Sequence, residues 1–215
     1  MSTTTFETTL PSAQARATAV TQEVGVLAPE DDAWMRSRVC RLLGTEPGLR
    51  LAWVAGTREE AMRLAHHEPV DVVVVGHRPR SLSGLGSCRE LKRTASPPAV
   101  VICSAYPNAV LAACCIAAGA DALVSVYDCD AQLSGVLRRV GQGARLLPAV
   151  PPRVGAMLHE RLDPAENAIF SLLLAGIPTP DVATALSMSE AELESRRSAL
   201  LEKLETLPPA SGMRY

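Results

Sequence analysis

Apolar residues along the chain follow two spacings, and each predicts a different kind of element. Five short runs contain few polar residues and have the length of strands: Val24–Ala28, Leu49–Ala55, Asp71–Val75, Ala99–Ser104 and Ala122–Val126. The third run holds four consecutive valines, without the alternation of a half-exposed strand. We therefore expect it to be covered on both faces, as the central strands of parallel sheets are.

Between these runs, apolar residues recur at the spacing of amphipathic helices. Asp32 is a candidate N-cap for the first helix, and Thr57 and Glu60 form a capping box for the second. The other helices are predicted near Ser87–Arg93, over Pro107–Ala118, and along the stripe of Leu133, Val136, Leu137 and Val140. Strands that alternate with helices in this way predict an α/β fold with a doubly wound, five-stranded parallel sheet.

The pattern changes after Gly141. Leu146–Val154 contains three prolines, which is typical of a linker, and a short helix is compatible with the sequence near Gly155–Arg161. Three helices then have clear start signals, at Asp163, Thr179 and Ser189. A short helix, a tight turn and a longer helix predict a small all-α helix-turn-helix domain.

These patterns divide the chain into five segments. They are an N-terminal tail (1–22), an α/β domain (23–145), a linker (146–160), a helix-turn-helix domain (161–207) and a C-terminal tail (208–215). The N-terminal tail is rich in Thr, Ser and Ala and shows no apolar periodicity. Pro208 and Pro209 disfavour a helix in the C-terminal tail.

Charge and composition narrow the function classes. The net charge is −2, so the protein has no global positive field that would favour nucleic acid or an anionic membrane. Aromatic residues make up 3% of the chain, so we expect an aliphatic core. The N-terminus lacks the order of a signal peptide, and no run approaches the ~18 apolar residues of a membrane span. We therefore expect a cytoplasmic protein without a membrane partner.

The six cysteines do not show the spacing of a metal site. None belongs to a C-x-x-C pair, and the four histidines supply no partner spacing for zinc. Free thiols in a reducing cytosol are the favoured interpretation, with a metal or redox role as the alternative. We therefore predict no metal and no cofactor.

Ligands of doubly wound sheets bind at the carboxyl ends of the strands. Here Glu30 and Asp31 follow the first predicted strand, Gly76 the third, Ser104 the fourth and Val126 the fifth. This layout resembles the receiver domain of bacterial response regulators, the regulatory half of two-component systems.

The receiver resemblance implies an acidic pair that binds Mg²⁺ beside an aspartate that accepts phosphate. Glu30 and Asp31 match the pair, whereas Gly76 occupies the acceptor position and Val126 the position of the family's lysine. Asp71 cannot replace the acceptor, because it begins the strand and lies roughly 16 Å away at ~3.3 Å per residue. The resemblance therefore implies a degenerate phosphoacceptor pocket in which aspartyl phosphorylation does not occur.

Several residues of this pocket have two interpretations. Glu30 and Asp31 are either acids at a helix N-terminus or a residual metal site. Ser104 matches a hydroxyl of the family and is otherwise a strand-end hydroxyl. Leu123 replaces the family's switch aromatic residue. His77, beside the acceptor position, is either an ordinary loop histidine or a modifiable one.

The C-terminal half, Leu162–Leu204, resembles the LuxR-type effector domain of NarL/FixJ regulators, and the two resemblances together cover residues 24–204. This second resemblance implies DNA binding through the helix that starts after Ser189. The candidate DNA-binding residues are Thr179, Ser189, Glu194, Ser195, Arg196, Arg197 and Lys203. Arg197 lies on an apolar stripe, so it either contacts phosphate or pairs with an acid such as Glu166.

The charge of this segment opposes DNA binding. From Asp163 to Glu205, three bases stand against eight acids, which gives a net charge of −5. DNA affinity depends largely on the neutralisation of phosphates by Lys and Arg. Glutamate can accept a hydrogen bond from cytosine in the major groove, so acids on the helix do not by themselves exclude sequence recognition.

The receiver resemblance also implies a face for pairing. Cys114 and Cys115 on the Ala-rich helix, with Leu133 and Leu137 on the next helix, are the dimerisation candidates. Small residues on the Ala-rich helix permit the close approach of another helix. A buried packing surface is the alternative interpretation.

Two functions fit these observations. The first is a phosphorylation-independent transcription regulator that binds DNA, as a homodimer or as a heterodimer with a related regulator. Its receiver-like domain would pair copies or bind a small molecule or a protein partner. The second is a protein-interaction module that kept the fold, lost DNA binding and modulates another regulator. An enzyme is disfavoured, because the sequence shows no nucleophile–base set, Gly-rich phosphate loop or metal cluster.

Overall fold

The computed structural model of the protein describes residues 21–28, 32–78 and 84–206. Within these ranges the chain forms five strands and nine helices. The predicted tails lie outside them, apart from Thr21 and Gln22, and Gln22 already begins the first strand. Glu30 and Asp31 also lie outside the described residues.

The first part of the chain alternates strands with helices, as predicted. The strands are β1 Gln22–Leu27, β2 Leu49–Ala55, β3 Val72–His77, β4 Ala99–Ser104 and β5 Ala122–Ser125. The helices between and after them are α1 Ala33–Thr45, α2 Arg58–His67, α3 Gly84–Leu91, α4 Ala109–Ala118 and α5 Cys129–Gly141. The strands pair in the order β2-β1-β3-β4-β5, and every pairing is parallel. The predicted doubly wound sheet is confirmed.

The valines of β3 explain why this strand lies at the centre of the sheet. Val72 and Val74 belong to the apolar cluster beneath α1 and α5. Val73 and Val75 belong to the cluster on the opposite face, beneath α2, α3 and α4. All four side chains are fully buried, so the uninterrupted valine run reflects cover on both faces.

Local capping fixes where the first helices begin. The Asp32 carboxylate accepts a hydrogen bond from the Met35 amide at 3.3 Å, and the Thr57 hydroxyl accepts one from the Glu60 amide at 3.2 Å. The Glu60 carboxylate reaches back to the amide of Gly56, one residue before the cap. At the other end of the domain, Gly119 ends α4 in the left-handed conformation with φ +83°, which glycine adopts without strain.

The second part of the chain is helical and consists of α6 Pro152–His159, α7 Pro164–Leu174, α8 Thr179–Ala185 and α9 Glu190–Glu205. Helix α6 occupies the second half of the predicted linker and begins earlier than the sequence indicated. Pro152 lies in its first turn, where the missing amide hydrogen has no helical partner to lose. Its Val154 and Leu158 are fully buried, so this half of the segment packs as a helix.

Helix α4 joins the two parts of the molecule. Nine of its ten residues are buried, and its sequence AVLAACCIAA has no polar face. One side packs on the sheet and α3, while the other contacts α6, α7 and α9. A single apolar cluster therefore includes α4 together with Phe170, Leu200 and Leu204 of the helical part. No helix in the described ranges has the length and apolar character to cross a membrane.

Candidate functional site

The predicted acceptor position, Gly76, lies against a neighbouring side chain. Gly76 lies near the end of β3, where a Cβ atom would stand 3.0 Å from the Met35 Sδ atom and 3.6 Å from the Leu27 carbonyl oxygen. Met35 is 1% exposed and is fixed in the core by α1. A Cβ atom at residue 76 would thus be in tight contact with a thioether.

Ser104 and Val126 lie at the same edge of the sheet as Gly76. Ser104 is 1% exposed, and its hydroxyl accepts a hydrogen bond from the Tyr106 amide at 3.2 Å, which stabilises the turn after β4. Val126 is buried and apolar. Asp71 stands at the other end of β3, where its carboxylate accepts from the Glu23 amide at 2.8 Å.

The same edge contains a cavity of about 460 Å³. Its charged and aromatic lining residues are Asp32, Trp34, His77, Arg78 and Tyr127, and the apolar ones are Cys103, Ala105 and Val126. Burial lowers the pKa of His77 from 6.5 to about 4, so the imidazole is neutral at pH 7. The sequence placed His77 beside the predicted acceptor position but did not indicate the cavity, because its walls come from four segments that are distant in the chain.

Within the described part of the chain, no three His, Cys, Asp or Glu side chains are placed to hold a metal ion. Cys88, Cys103, Cys114 and Cys115 are buried free thiols, and Cys40 is half-buried. Burial raises the pKa of Cys88 and of Cys114 to about 12. Such thiols remain protonated and unreactive at neutral pH.

Arg197 is held by the receiver-like domain rather than exposed on α9. It is 3% exposed, and its Nε and Nη2 atoms donate to the Ala117 carbonyl oxygen of α4 at 3.2 and 2.8 Å. Its Nη1 atom pairs with Glu194. Of the two interpretations, the structure favours structural pairing, but not with Glu166, which binds Lys203 at 2.6 Å.

The other candidate DNA-binding residues are distributed over α8 and α9. Ser189 caps α9 by accepting from the Glu192 amide at 3.2 Å, and Ser195 is exposed. Arg196 pairs with Glu192 at 3.2 Å on the outer face of α9. Thr179 is half-buried at the first turn of α8. The structure therefore leaves Ser195 and Arg196 accessible while Arg197 is covered.

The four dimerisation candidates are not at an exposed face. Cys114 and Cys115 are 3% and 0% exposed, because α4 is covered by the helical domain. Leu133 and Leu137 belong to α5, and both are fully buried in the core on the other face of the sheet. Their placement corrects the prediction and matches its alternative, a buried packing surface. For Cys114 and Cys115, the sequence feature that indicates burial is the lack of any polar position in α4, because a helix without a polar face is covered on all sides.

Comparison with known proteins agrees with this geometry. Residues 26–125 match the response regulator receiver domain family. The chain is 27% identical over 191 residues to the nitrate/nitrite response regulator protein NarP of Escherichia coli strain K12, covering 83% of this chain and 87% of NarP. It is also 27% identical over 194 residues to the DNA-binding transcriptional activator DevR/DosR of Mycobacterium tuberculosis, covering 84% and 88% of the two chains.

A solved structure supports the fold. The two-component response regulator of the LuxR family from Aurantimonas sp. SI85-9A1 superposes with a TM-score of 0.54 at 21% identity, covering 66% of this chain and 99% of that one. At this identity the likeness bears on the fold. Residues 26–125 therefore have the receiver fold and are similar in sequence to that family, and the relatives that match most of this chain are response regulators.

Proposed function

We propose that the protein is a transcription regulator that works without aspartyl phosphorylation. The observation that carries this proposal is the acceptor position, where Gly76 supplies no nucleophile and the Met35 thioether fills the adjacent space. Phosphoryl transfer also requires positive charge near the transferred group. Val126, at the position of the family's lysine, supplies none.

In this proposal the helical domain binds DNA, as does the relative DevR/DosR, a DNA-binding transcriptional activator. In the structure α9 packs on α4, which we call the closed arrangement. All three bases of residues 163–205 are paired in it. Arg196 pairs with Glu192, Lys203 with Glu166, and Arg197 with Glu194 and the Ala117 carbonyl. Arg197 therefore contacts a phosphate only if α9 leaves α4, whereas Arg196 and Lys203 are accessible without that movement.

The receiver domain has a sensing or pairing role in this proposal. A bound small molecule or partner protein would shift the balance between closed and open arrangements by preferring one of them. Pairing with a second copy, or with a related regulator, would use faces other than those of Cys114, Cys115, Leu133 and Leu137, which are buried.

A second function is favoured by one specific observation, the charge of the helical domain. With a net charge of −5 over residues 163–205, the surface around α8 and α9 repels a phosphate backbone. A protein-interaction module that binds and modulates another regulator would tolerate this charge. The two functions differ in a single measurable property, sequence-dependent retention of DNA.

The test is a pull-down of fragmented genomic DNA by the purified, untreated protein, with sequencing of the retained fragments at two salt concentrations. We expect a few enriched loci that share a motif, with retention that falls as salt rises. The Arg196→Met variant serves as a second sample, because Arg196 is an accessible base on α9, and we expect it to retain less DNA. Absence of enrichment at the lower salt, with folded protein, would support the interaction module instead.

A further inference from the structure

Exposed aromatic side chains are concentrated at one edge of the receiver domain. In the described ranges the exposed large apolar side chains are Trp34 (48% exposed), Tyr106 (68%) and Tyr127 (61%). They follow β1, β4 and β5, so all three lie at the carboxyl edge of the sheet. In a chain with 3% aromatic residues, this concentration indicates recognition, because aromatic side chains are enriched at binding surfaces.

Two of these side chains, Trp34 and Tyr127, line the cavity of about 460 Å³. Their ring centroids are 5.9 Å apart and their planes meet at 52°, so the rings form an angled wall. The Arg38 guanidinium lies 4.5 Å from the centroid of the Trp34 ring, which restricts the orientation of the indole. The volume falls in the range of about 300–1,000 Å³ that small-molecule sites occupy.

His77 adds a hydrogen-bonding group to this wall. Its Nδ1 atom is buried and has no hydrogen-bond partner among the residues that the structure describes. Because the ring is neutral at pH 7, one of its nitrogens donates and the other accepts. The imidazole lines the cavity, so a ligand there can form a hydrogen bond with the accessible part of the ring.

The charged groups among the described lining residues offset each other. The Asp32 carboxylate lies 3.4 Å from the Arg78 Nε atom and also caps α1 at the Met35 amide. The remaining walls, at Cys103 and Val126, are apolar. An anionic ligand would meet Asp32, and a cationic one would meet Arg78, so this lining favours an uncharged molecule.

We propose that this cavity binds a small, uncharged, planar aromatic molecule that carries a hydrogen-bonding group on its ring. The ring lies against Trp34 and Tyr127, and the polar group bonds to the imidazole of His77, which lines the cavity. This inference rests on the proposed function above, in which this end of the domain responds to a bound signal rather than to phosphoryl transfer.

The experiment uses three probes of nearly equal size with the full chain: 2-naphthol, naphthalene and decahydro-2-naphthol. Saturation-transfer NMR measures the affinity of each probe. We expect 2-naphthol to bind about fivefold more tightly than naphthalene, because only the former bonds to His77. Decahydro-2-naphthol, which is not planar, is expected to bind most weakly of the three.

Variants locate the site. Trp34→Ala and Tyr127→Ala are expected to weaken 2-naphthol binding about tenfold, whereas Tyr106→Ala leaves it unchanged. Tyr106 is the matched control because it is exposed at the same edge but does not line the cavity. His77→Leu removes the preference for 2-naphthol over naphthalene while naphthalene still binds, which a loss of folding would not do.

Two outcomes would overturn the proposal. One is the absence of saturable transfer from 2-naphthol up to its solubility limit, with protein that circular dichroism shows to be folded. The other is an equal loss of binding in Tyr106→Ala and Tyr127→Ala. DNA takes no part in either measurement, so a failure here and a failure of the genomic pull-down are distinguishable.

Discussion

At the scale of single residues, the predicted acceptor position combines two features: Gly76 has no carboxylate, and the Met35 side chain packs beside it. The Met35 side chain is buried and stands where a Cβ on residue 76 would point. A close-packed interior does not admit extra atoms without displacing neighbours. A side chain at residue 76 therefore requires Met35 to shift.

Gly76→Asp is expected to lower the free energy of unfolding by about 1–3 kcal/mol, because the new side chain overpacks the site beside Met35. It is also expected to gain no acyl phosphate on incubation with acetyl phosphate, since Val126 supplies no cation. Urea unfolding and phosphate-affinity electrophoresis measure the two effects. Gly135→Ala is the control, because a Cβ there meets nothing within 4 Å. A stable, phosphorylated Gly76→Asp protein would contradict this account.

His77 makes the stability of the protein depend on pH. Its pKa is about 4 in the folded protein and 6.5 when unperturbed, so between these values the unfolded chain binds more protons. The free energy of unfolding is thus expected to fall as pH decreases from 6.5 to 4, by on the order of 3 kcal/mol from this residue. Urea unfolding across this range should show a shallower decline for His77→Gln. Parallel declines in the two proteins would exclude the contribution of His77.

At the scale of elements, the sequence predicted the features that depend on residues close together in the chain, such as strand bounds and helix caps. The bounds of β2 and β4 match their apolar runs. The predicted capping box of α7 is also present: the Asp163 carboxylate caps the helix, and the Asp163 amide donates to the Glu166 carboxylate. Contacts between distant segments were not predictable in this way. Arg197 was correctly placed on an apolar stripe, but its acceptor, the Ala117 carbonyl, lies 80 residues earlier and has no sequence signature.

Two adjacent arginines on α9 offer a matched test of the contact between α4 and α9. Arg197→Met leaves the Ala117 carbonyl without its donors, and we expect the free energy of unfolding to fall by about 2–3 kcal/mol. Arg196→Met removes only the exposed pair with Glu192, which is worth about 0.3–0.5 kcal/mol. Urea unfolding measures both changes. Equal losses in the two variants would show that Arg197 does not hold the helices together.

Hydrogen exchange separates a loosened contact from general destabilisation. In Arg197→Met we expect faster amide exchange at the carboxyl end of α4 and along α9, because their shared contact has been removed. Exchange in β3, which lies at the centre of the sheet, should change little. Arg196→Met should leave both regions as they are in the natural protein.

At the scale of the whole molecule, the receiver domain and the helical domain share one apolar core. The cluster that contains Trp53 and Ile102 of the receiver domain also contains Phe170 and Leu200 of the helical domain. Two-domain proteins often unfold in steps, because few contacts cross between their domains. Here the Ala-rich α4 allows a close approach of both parts, so their stabilities are coupled.

We therefore expect the natural protein to unfold in a single transition. Tryptophan fluorescence reports on the receiver domain, because both tryptophans lie there, and amide exchange in α7 and α9 reports on the helical domain. The two probes should give the same urea midpoint.

Phe170→Ala removes a fully buried side chain from the shared core and is expected to lower the free energy of unfolding by about 3–5 kcal/mol. In that variant the helical probe should change at lower urea than the fluorescence, since α4 no longer couples the domains. Separate midpoints in the natural protein would mean that the contact between α4 and the helical domain contributes little to its stability.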